Sequence, residues 1–569
     1  MERLFPVYTQ EKECHDCYKC VRQCPVKAIR VENERAYIVA DRCVACGRCV
    51  QVCSSHAKHV RNDIGRAKFL FSSGVPVVAS VAPSWVAVHS DWSQGQLVQA
   101  LKRLGFSAVS ETALGAEEVS AALAQDMQSG GLRISSACPA VVDLIRKHIP
   151  SLTESITPVA SPALTHAKML RGHFGDDISV VFIGPCAAKK TEADEHPDLM
   201  NLALTFAELD QWLQERNINP ANLKAREDDV FVPRRAAEGG LYPLEGGMLD
   251  TLRHFECPPD TELQSMSGLA RIKSALEALD PARLDVPVFL ECLACRGGCI
   301  SGPGSTSFPP PIEGMLAVKA NVQKSSPGPR DAIRVPVLYR ANAPEANEWS
   351  EAEILEALSK IGKRGVEDEL NCGACGYDTC RNLAAALLSG DAEISMCASY
   401  MRSIAQRKAN ALIRCMPSGV VIVGTDLRIV ESNEAFANIF GERNRALFAE
   451  RPGLAGVDVE EIFPCGKLLR AALRSGKEIH RERMKIRDML LDVTIFIIEK
   501  HQTVGAIVED VTLNEMRRDQ IARKAREVIS KNIATVQEIA SRLGEHMADT
   551  EILLNSIAEG YAEQDEPEW

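Results

Sequence analysis

Short, nearly uninterrupted apolar runs recur through the first half of this chain and alternate with stretches whose apolar residues step by three and four. The runs Val75 to Val81, Val180 to Ile183 and Val286 to Leu290 have the length and character of buried strands, while Gln96 to Arg103, Val119 to Met127 and Ala207 to Glu215 carry helical spacing. That alternation predicts an α/β layered domain. Pro303 to Pro329, with Pro309-Pro310-Pro311, reads as a stiff linker. Beyond it, Glu351 to Ile361, Arg381 to Leu388 and Tyr400 to Cys415 read as helices. The pattern then turns to strands: Val420 to Val423, a turn at Gly424-Thr425-Asp426, Arg428 to Glu431, a helix capped by Asn433, and later strands Glu478 to Ile486, Met489 to Ile498 and Val504 to Asp510. Leu513 to Glu559 places Ala522, Ala525, Ile529, Ile533, Val536, Ala540, Leu543, Met547, Leu554 and Ile557 mostly at coiled-coil steps. An amphipathic helix folded back on the preceding sheet is the alternative. Glu563 to Trp569 is an acidic tail expected to fray.

With 569 residues, 46% of them hydrophobic, the chain is too long for one core and long enough for three or four domains. A net charge of −12 without a dense basic block argues against nucleic acid as the main partner. Twenty cysteines raise the question of disulfides, but most fall at metal-ligand spacings, and neither a signal peptide at Met1 to Tyr8 nor an apolar run near membrane length is evident. A reducing cytoplasm is the expected compartment, with no membrane partner.

Cys14, Cys17, Cys20 and Cys24, followed by Pro25, are spaced C-x2-C-x2-C-x3-C-P, and Cys43, Cys46, Cys49 and Cys53 repeat the spacing with Ser54 in place of the proline. Thiolates three apart surround a cube from one loop while the fourth crosses to the other cluster. This predicts one 4Fe-4S site at Cys14, Cys17, Cys20 and Cys53 and a second at Cys24, Cys43, Cys46 and Cys49. Zinc sites seldom use this doubled pattern. The segment resembles a bacterial-type two-cluster ferredoxin, an electron relay.

Three further segments, ISSACPAVV at Ile134 to Val142, VVFIGPCAAKKTE at Val180 to Glu192 and FLECLACRGGCISGPG at Phe289 to Gly304, carry cysteines, the last two behind apolar runs and beside glycines. In order, they resemble the signature motifs of the FeFe hydrogenases. The resemblance implies an H-cluster, a 4Fe-4S cube bridged to a two-iron centre carrying CO and cyanide. Its cube ligands would be Cys138, Cys186, Cys295 and Cys299, with Cys299 the bridge and Lys189 the hydrogen-bond donor to a cyanide. The departures are equally specific. Ala137 stands where turnover enzymes of the family carry a proton-passing cysteine, and Gly184 and Leu293 replace methionines that line the two-iron centre. The family's glutamate relay is expected near Val119 to Met127, which offers Leu123 and Asp126.

Cys372, Cys375, Cys380 and Cys397, spaced C-x2-C-x4-C-x16-C, resemble a separate 4Fe-4S module of redox and corrinoid proteins, with zinc the competing metal. The strand-turn-strand-helix opening near Val420 resembles a PAS domain, and Cys415 and Cys465 read as packing residues. The expected organisation is therefore multidomain, α/β and α+β: a ferredoxin domain at 1–70, an H-cluster domain at 74–312, a linker at 313–345, a small helical 4Fe-4S module at 346–412, a PAS domain at 413–512 and a signalling coiled-coil helix at 513–560. This order resembles the sensory FeFe hydrogenases. It implies three 4Fe-4S clusters plus an H-cluster, hydrogen as ligand and slowly oxidised substrate, and maturation proteins. It also implies ferredoxin or another redox partner, a downstream phosphatase or kinase, and a homodimer formed through the PAS and coiled-coil segments. Two other readings remain: a turnover hydrogenase exchanging electrons with ferredoxin, and an iron-sulfur scaffold without the two-iron centre.

Overall fold

The computed structural model describes residues 5–306, 310–322, 333–345, 347–486, 489–512 and 524–533. The chain divides into two compact units, Met1–Cys397 and Ala398–Trp569.

The first unit opens with short elements. Strands β1 (Val7–Thr9) and β4 (Lys58–Val60) pair antiparallel around the hairpin β2 (Ile29–Glu32) and β3 (Arg35–Ile38). Two five-residue helices, α1 (Lys19–Gln23) and α2 (Arg48–Val52), each follow a residue with positive φ and each end at a cysteine. Elements this short bury few side chains, so much of this segment's order must come from whatever its cysteines hold.

Residues 77–293 form two parallel sheets. One has the order β6 (Ala108–Glu111), β5 (Val77–Val81), β8 (Ser179–Gly184), β9 (Leu202–Thr205), and the other β10 (Glu262–Ser267), β11 (Val288–Leu293), β7 (Leu132–Ile134). Every residue of β5 and β8 is buried, the condition that selects their unbroken apolar runs. Strand β11 begins two residues later than its apolar run suggests, since Val286 is exposed, and continues through Cys292. The helix α3 (Ala113–Asp126) begins six residues before the expected Val119. Strong local signals set other starts: Ser93 and Thr205 each form a capping box.

The stretch expected to be linker is partly structured. Pro311–Asn321 is a helix, and residues 333–342 lie along the parallel-sheet region as a strap: the Ala160 amide donates to the Val335 carbonyl at 2.9 Å and the Asn342 amide to the Arg146 carbonyl at 2.8 Å. Residues 350–397 add two helices, Glu351–Lys360 and Cys380–Leu388, joined by a bidentate Arg381–Glu351 pair at 2.9 Å.

The second unit is a five-stranded antiparallel sheet, ordered β13 (Ile429–Ser432), β12 (Gly419–Val423), β16 (Thr503–Asp510), β15 (Met489–Glu499), β14 (Ile479–Ile486), with helices over one apolar core. Asn433 caps the helix Glu434–Ile439, as its position suggests, by accepting from the Phe436 amide at 2.9 Å. Cys465 is a core residue, whereas Cys415, expected to pack, is exposed. Residues 524–533 are helical; the rest of the expected coiled coil lies outside the described residues. Among the described residues no helix is long and apolar enough to cross a membrane.

Candidate metal centre

Parallel strands deliver their C-terminal ends to one side of a sheet, and a change of direction in strand order opens a crevice there. The loops leaving β5, β6, β7, β8 and β11 all reach one pocket of about 100 Å³, which brings Cys138, Cys186 and Cys299 together with Lys189. Cys138 sits immediately before the helix Pro139–His148, held in register because the Ser135 amide donates to the Leu290 carbonyl at 2.9 Å. Cys186 follows β8, and Cys299 follows the tight turn at Gly297-Gly298. Both glycines have positive φ, and a Cβ on Gly298 would collide with the Pro243 carbonyl oxygen.

Burial pushes the Cys186 thiol up to about 11 and the Cys299 and Cys295 thiols well above their ordinary value. The thiols also raise one another, and the Lys189 charge partly offsets this at Cys186 and Cys299. Clustered thiols of which Cys186, Cys295 and Cys299 resist ionising alone suit a cofactor whose iron supplies the compensating positive charge, so the donor set fits an iron-sulfur group. Lys189 donates to Ser161 Oγ at 2.8 Å and pairs with Glu192 at 2.6 Å, which holds its ammonium beside the thiols.

The wall around these thiols is largely apolar. Ala137 presents only a methyl group, and Leu293 and Phe182 add carbon surface. Among its polar members, beside Ser84, Thr112 and Tyr242, is an acid not signalled by the sequence, Glu291. It is 1% exposed, accepts from the Gly246 and Met248 amides at 2.7 and 3.1 Å, and has its carboxyl pushed up to about 7 by burial. The two positions offered for an acid relay do not line the pocket: Leu123 lies in the core, and Asp126 pairs with Arg133 and Arg334. The buried acids of α3 are Glu117, paired with Arg234 at 2.7 Å, and Glu118, which accepts from the Ile333 amide.

The N-terminal cysteines approach the same place. Cys46 and Cys295 line a neighbouring cavity of about 450 Å³, the Gln51 side chain donates to the Ser301 carbonyl at 2.9 Å, and Lys147 donates to the Cys43 carbonyl at 2.7 Å. The thiols of Cys43 and Cys46 are raised to about 11 and 12 by burial and by Cys24, and Cys49 feels Cys24, Cys43 and Cys46. Cys24 therefore lies within electrostatic reach of Cys43, Cys46 and Cys49. Cys20 is raised to about 11 by burial, with Cys14 and Cys17 adding to it. At Cys53 burial also acts upward, but the Ser55 hydroxyl and the amides of Lys58, Ala57 and Ser55 outweigh it and hold the thiol below its ordinary value. Farther along, Cys375 groups with Cys372 and Cys397, while the Cys380 amide donates to Asn371 Oδ1 at 2.7 Å at the start of its helix.

Comparison with known proteins follows these three regions. Residues 75–303 match the family model described as iron only hydrogenase large subunit, C-terminal domain, residues 6–54 a 4Fe-4S dicluster domain, and residues 368–399 an Fe-S cluster model. The chain is similar to iron hydrogenase 1 of Clostridium pasteurianum, 24% identical over 294 residues that make up 43% of this chain and 49% of that protein. It is also similar to the NADP-reducing hydrogenase subunit HndD of Solidesulfovibrio fructosivorans, 22% identical over 53% of this chain and 57% of that protein. The chain thus spans about half the length of these curated relatives. Among solved structures, a variant of FeFe-hydrogenase HydA1 from Chlamydomonas reinhardtii is 19% identical, with a TM-score of 0.40, covering 50% of this chain and 100% of that one.

Proposed function

We propose, for a chain that belongs through residues 75–303 to the iron-only (FeFe) hydrogenase large-subunit family and carries ferredoxin-like 4Fe-4S domains, that it senses hydrogen rather than turning it over rapidly. An H-cluster held by Cys138, Cys186, Cys295 and Cys299 would supply the cleavage of hydrogen. Around it the chain's own residues set the terms: Lys189 places a positive charge beside the site, and apolar walls exclude water. The five-stranded sheet ordered β13-β12-β16-β15-β14 and the helix capped by Asn433 support reading residues 413–512 as a PAS domain, to which we assign the output, since two ligand-dependent states of such a module differ in free energy only through what reaches them. Dimerisation through 513–560, of which residues 524–533 are described, belongs to the same proposal.

The observation that carries this reading is Ala137. The pocket position next to Cys138 offers no group that can hold a proton, and loss of a positioned proton donor costs about 10²–10⁴ in rate. A second reading, a turnover hydrogenase with another proton route, is favoured by Glu291, a pocket carboxyl whose affinity for its proton is raised toward neutrality. An anaerobic infrared spectrum of the matured protein, under argon and then hydrogen, tests the site both readings share, and the turnover rate then separates them. Metal-bound CO and cyanide bands that shift with hydrogen are expected; no bands in protein co-expressed with working maturation factors would leave only the scaffold.

A further inference from the structure

The module of residues 368–397 packs onto the ferredoxin-like segment, some 350 residues earlier in sequence. Arg22 donates to the Ala374 carbonyl at 3.2 Å and Lys27 to the Gly376 carbonyl at 2.6 Å. The two donors flank Cys24, and the two acceptors flank Cys375. Gly376 is in close contact with α1: its φ is +98°, and a Cβ there would lie 2.9 Å from Val21 and 3.0 Å from the Arg22 amide nitrogen. On the other side of the contact, Asp391 pairs with Arg42 at 2.6 Å while its carbonyl accepts from the Val31 amide at 2.9 Å. Arg42 and Asp391 are 28% and 13% exposed, so the pair belongs to the packed interface and not to a solvated rim. Tyr377, 6% exposed, lies in the field of both Cys375 and Cys24.

We propose that this interface fixes the module's cysteines beside the Cys24, Cys43, Cys46 and Cys49 site, making that site a branch point. The group at Cys46 faces Cys295 on one side, and the module docks on the other. Iron-sulfur groups held by these two sets of cysteines would exchange one electron, the reduced group at the Cys24 site becoming oxidised and the oxidised group of the module becoming reduced. No bond forms or breaks and no proton is transferred. A branch here gives electrons from the buried centre a destination inside the chain, next to the residues that lead toward Ala398, instead of only an external partner. Hydrogen as the source of the electrons rests on the function proposed above; the interface does not.

The test is electron paramagnetic resonance on the full chain with its iron-sulfur groups loaded, fully reduced with dithionite, so that a protein with no working hydrogen site gives the same answer. A Cys380→Ala variant, which lacks one thiol of the module, supplies the spectrum of the remaining groups. The fully reduced native protein is expected to show splitting beyond the sum of that spectrum and an isolated module signal. Lys27→Ala combined with Arg42→Ala should abolish the extra splitting at unchanged iron content. Asp391→Ala, which leaves the neighbours of Cys24 intact, should reduce it in the same direction if the double variant loses iron. A native spectrum equal to the simple sum, or splitting that survives all these substitutions, overturns the proposal.

Discussion

Two side chains in the same pocket carry opposite expectations. Replacing Ala137 by cysteine restores a proton-holding group beside Cys138, and we expect hydrogen oxidation with an artificial electron acceptor to rise by about 10²–10⁴. Unchanged turnover would favour a route that does not need position 137. Glu291 has its carboxyl raised from 4.5 to about 7, first by burial, against the two amides that favour its charged form. The folded state therefore binds this proton more tightly than the unfolded chain does. The contribution to stability is fully present below pH 4.5 and is lost as pH rises through 7, a change of roughly 3 kcal/mol. Glu291→Gln should flatten that slope in urea unfolding followed by Trp85 and Trp212 fluorescence. Lys189 and the pocket cysteines were legible because the three segments that carry them resemble family motifs. Glu291 was not, because one acid in an apolar strand carries no period, and its significance comes from the amides of Gly246 and Met248 folding over it.

At the scale of elements, the turn before Cys299 is the most constrained. Gly298 has φ of +105° and no room for a Cβ, so Gly298→Ala should cost of order 1–3 kcal/mol in local strain. We expect less iron bound per chain at the 74–306 region while helical circular dichroism is nearly unchanged; full iron loading would show that the turn tolerates the change. Helix α3 shows how element boundaries escape the sequence. Its first turns hold Glu117 and Glu118 at buried positions, which breaks any apolar periodicity. They are tolerated because Arg234 and the Ala237 amide satisfy the first and the Ile333 amide the second. Gly115 in the same stretch packs against Pro162 and His166 of a neighbouring helix, a contact that only the assembled layers define. The helices expected from Gln96 and Ala207 start one or two residues earlier, at Gln94 and Phe206, because Ser93 and Thr205 cap them through partners three residues away.

Across the whole molecule, the segments differ in how much holds them together without iron. Residues 77–293 build two parallel sheets, the first on a large core and the second on a smaller cluster around Phe289, whereas residues 5–60 have strands of three or four residues and helices of five. Removing iron with a chelator should therefore expose the N-terminal segment to limited proteolysis first and leave the sheet region resistant. Simultaneous digestion of both would show that the cofactors hold the entire unit. By itself, the sequence determined the chemistry on offer: cysteine spacings at 14–53 and 372–397 and apolar runs that had to be buried strands, because thiolate geometry and strand burial are written in neighbouring residues, whereas Cys138, Cys186, Cys295 and Cys299 were singled out through a family resemblance. Only the tertiary structure decided that five strand ends open into one pocket, that residues 333–342 are a strap and not a free linker, and that Arg22 and Lys27 clamp the peptides around Cys375. Those contacts join residues tens to hundreds of positions apart, and no local pattern specifies which distant partner will satisfy a given donor.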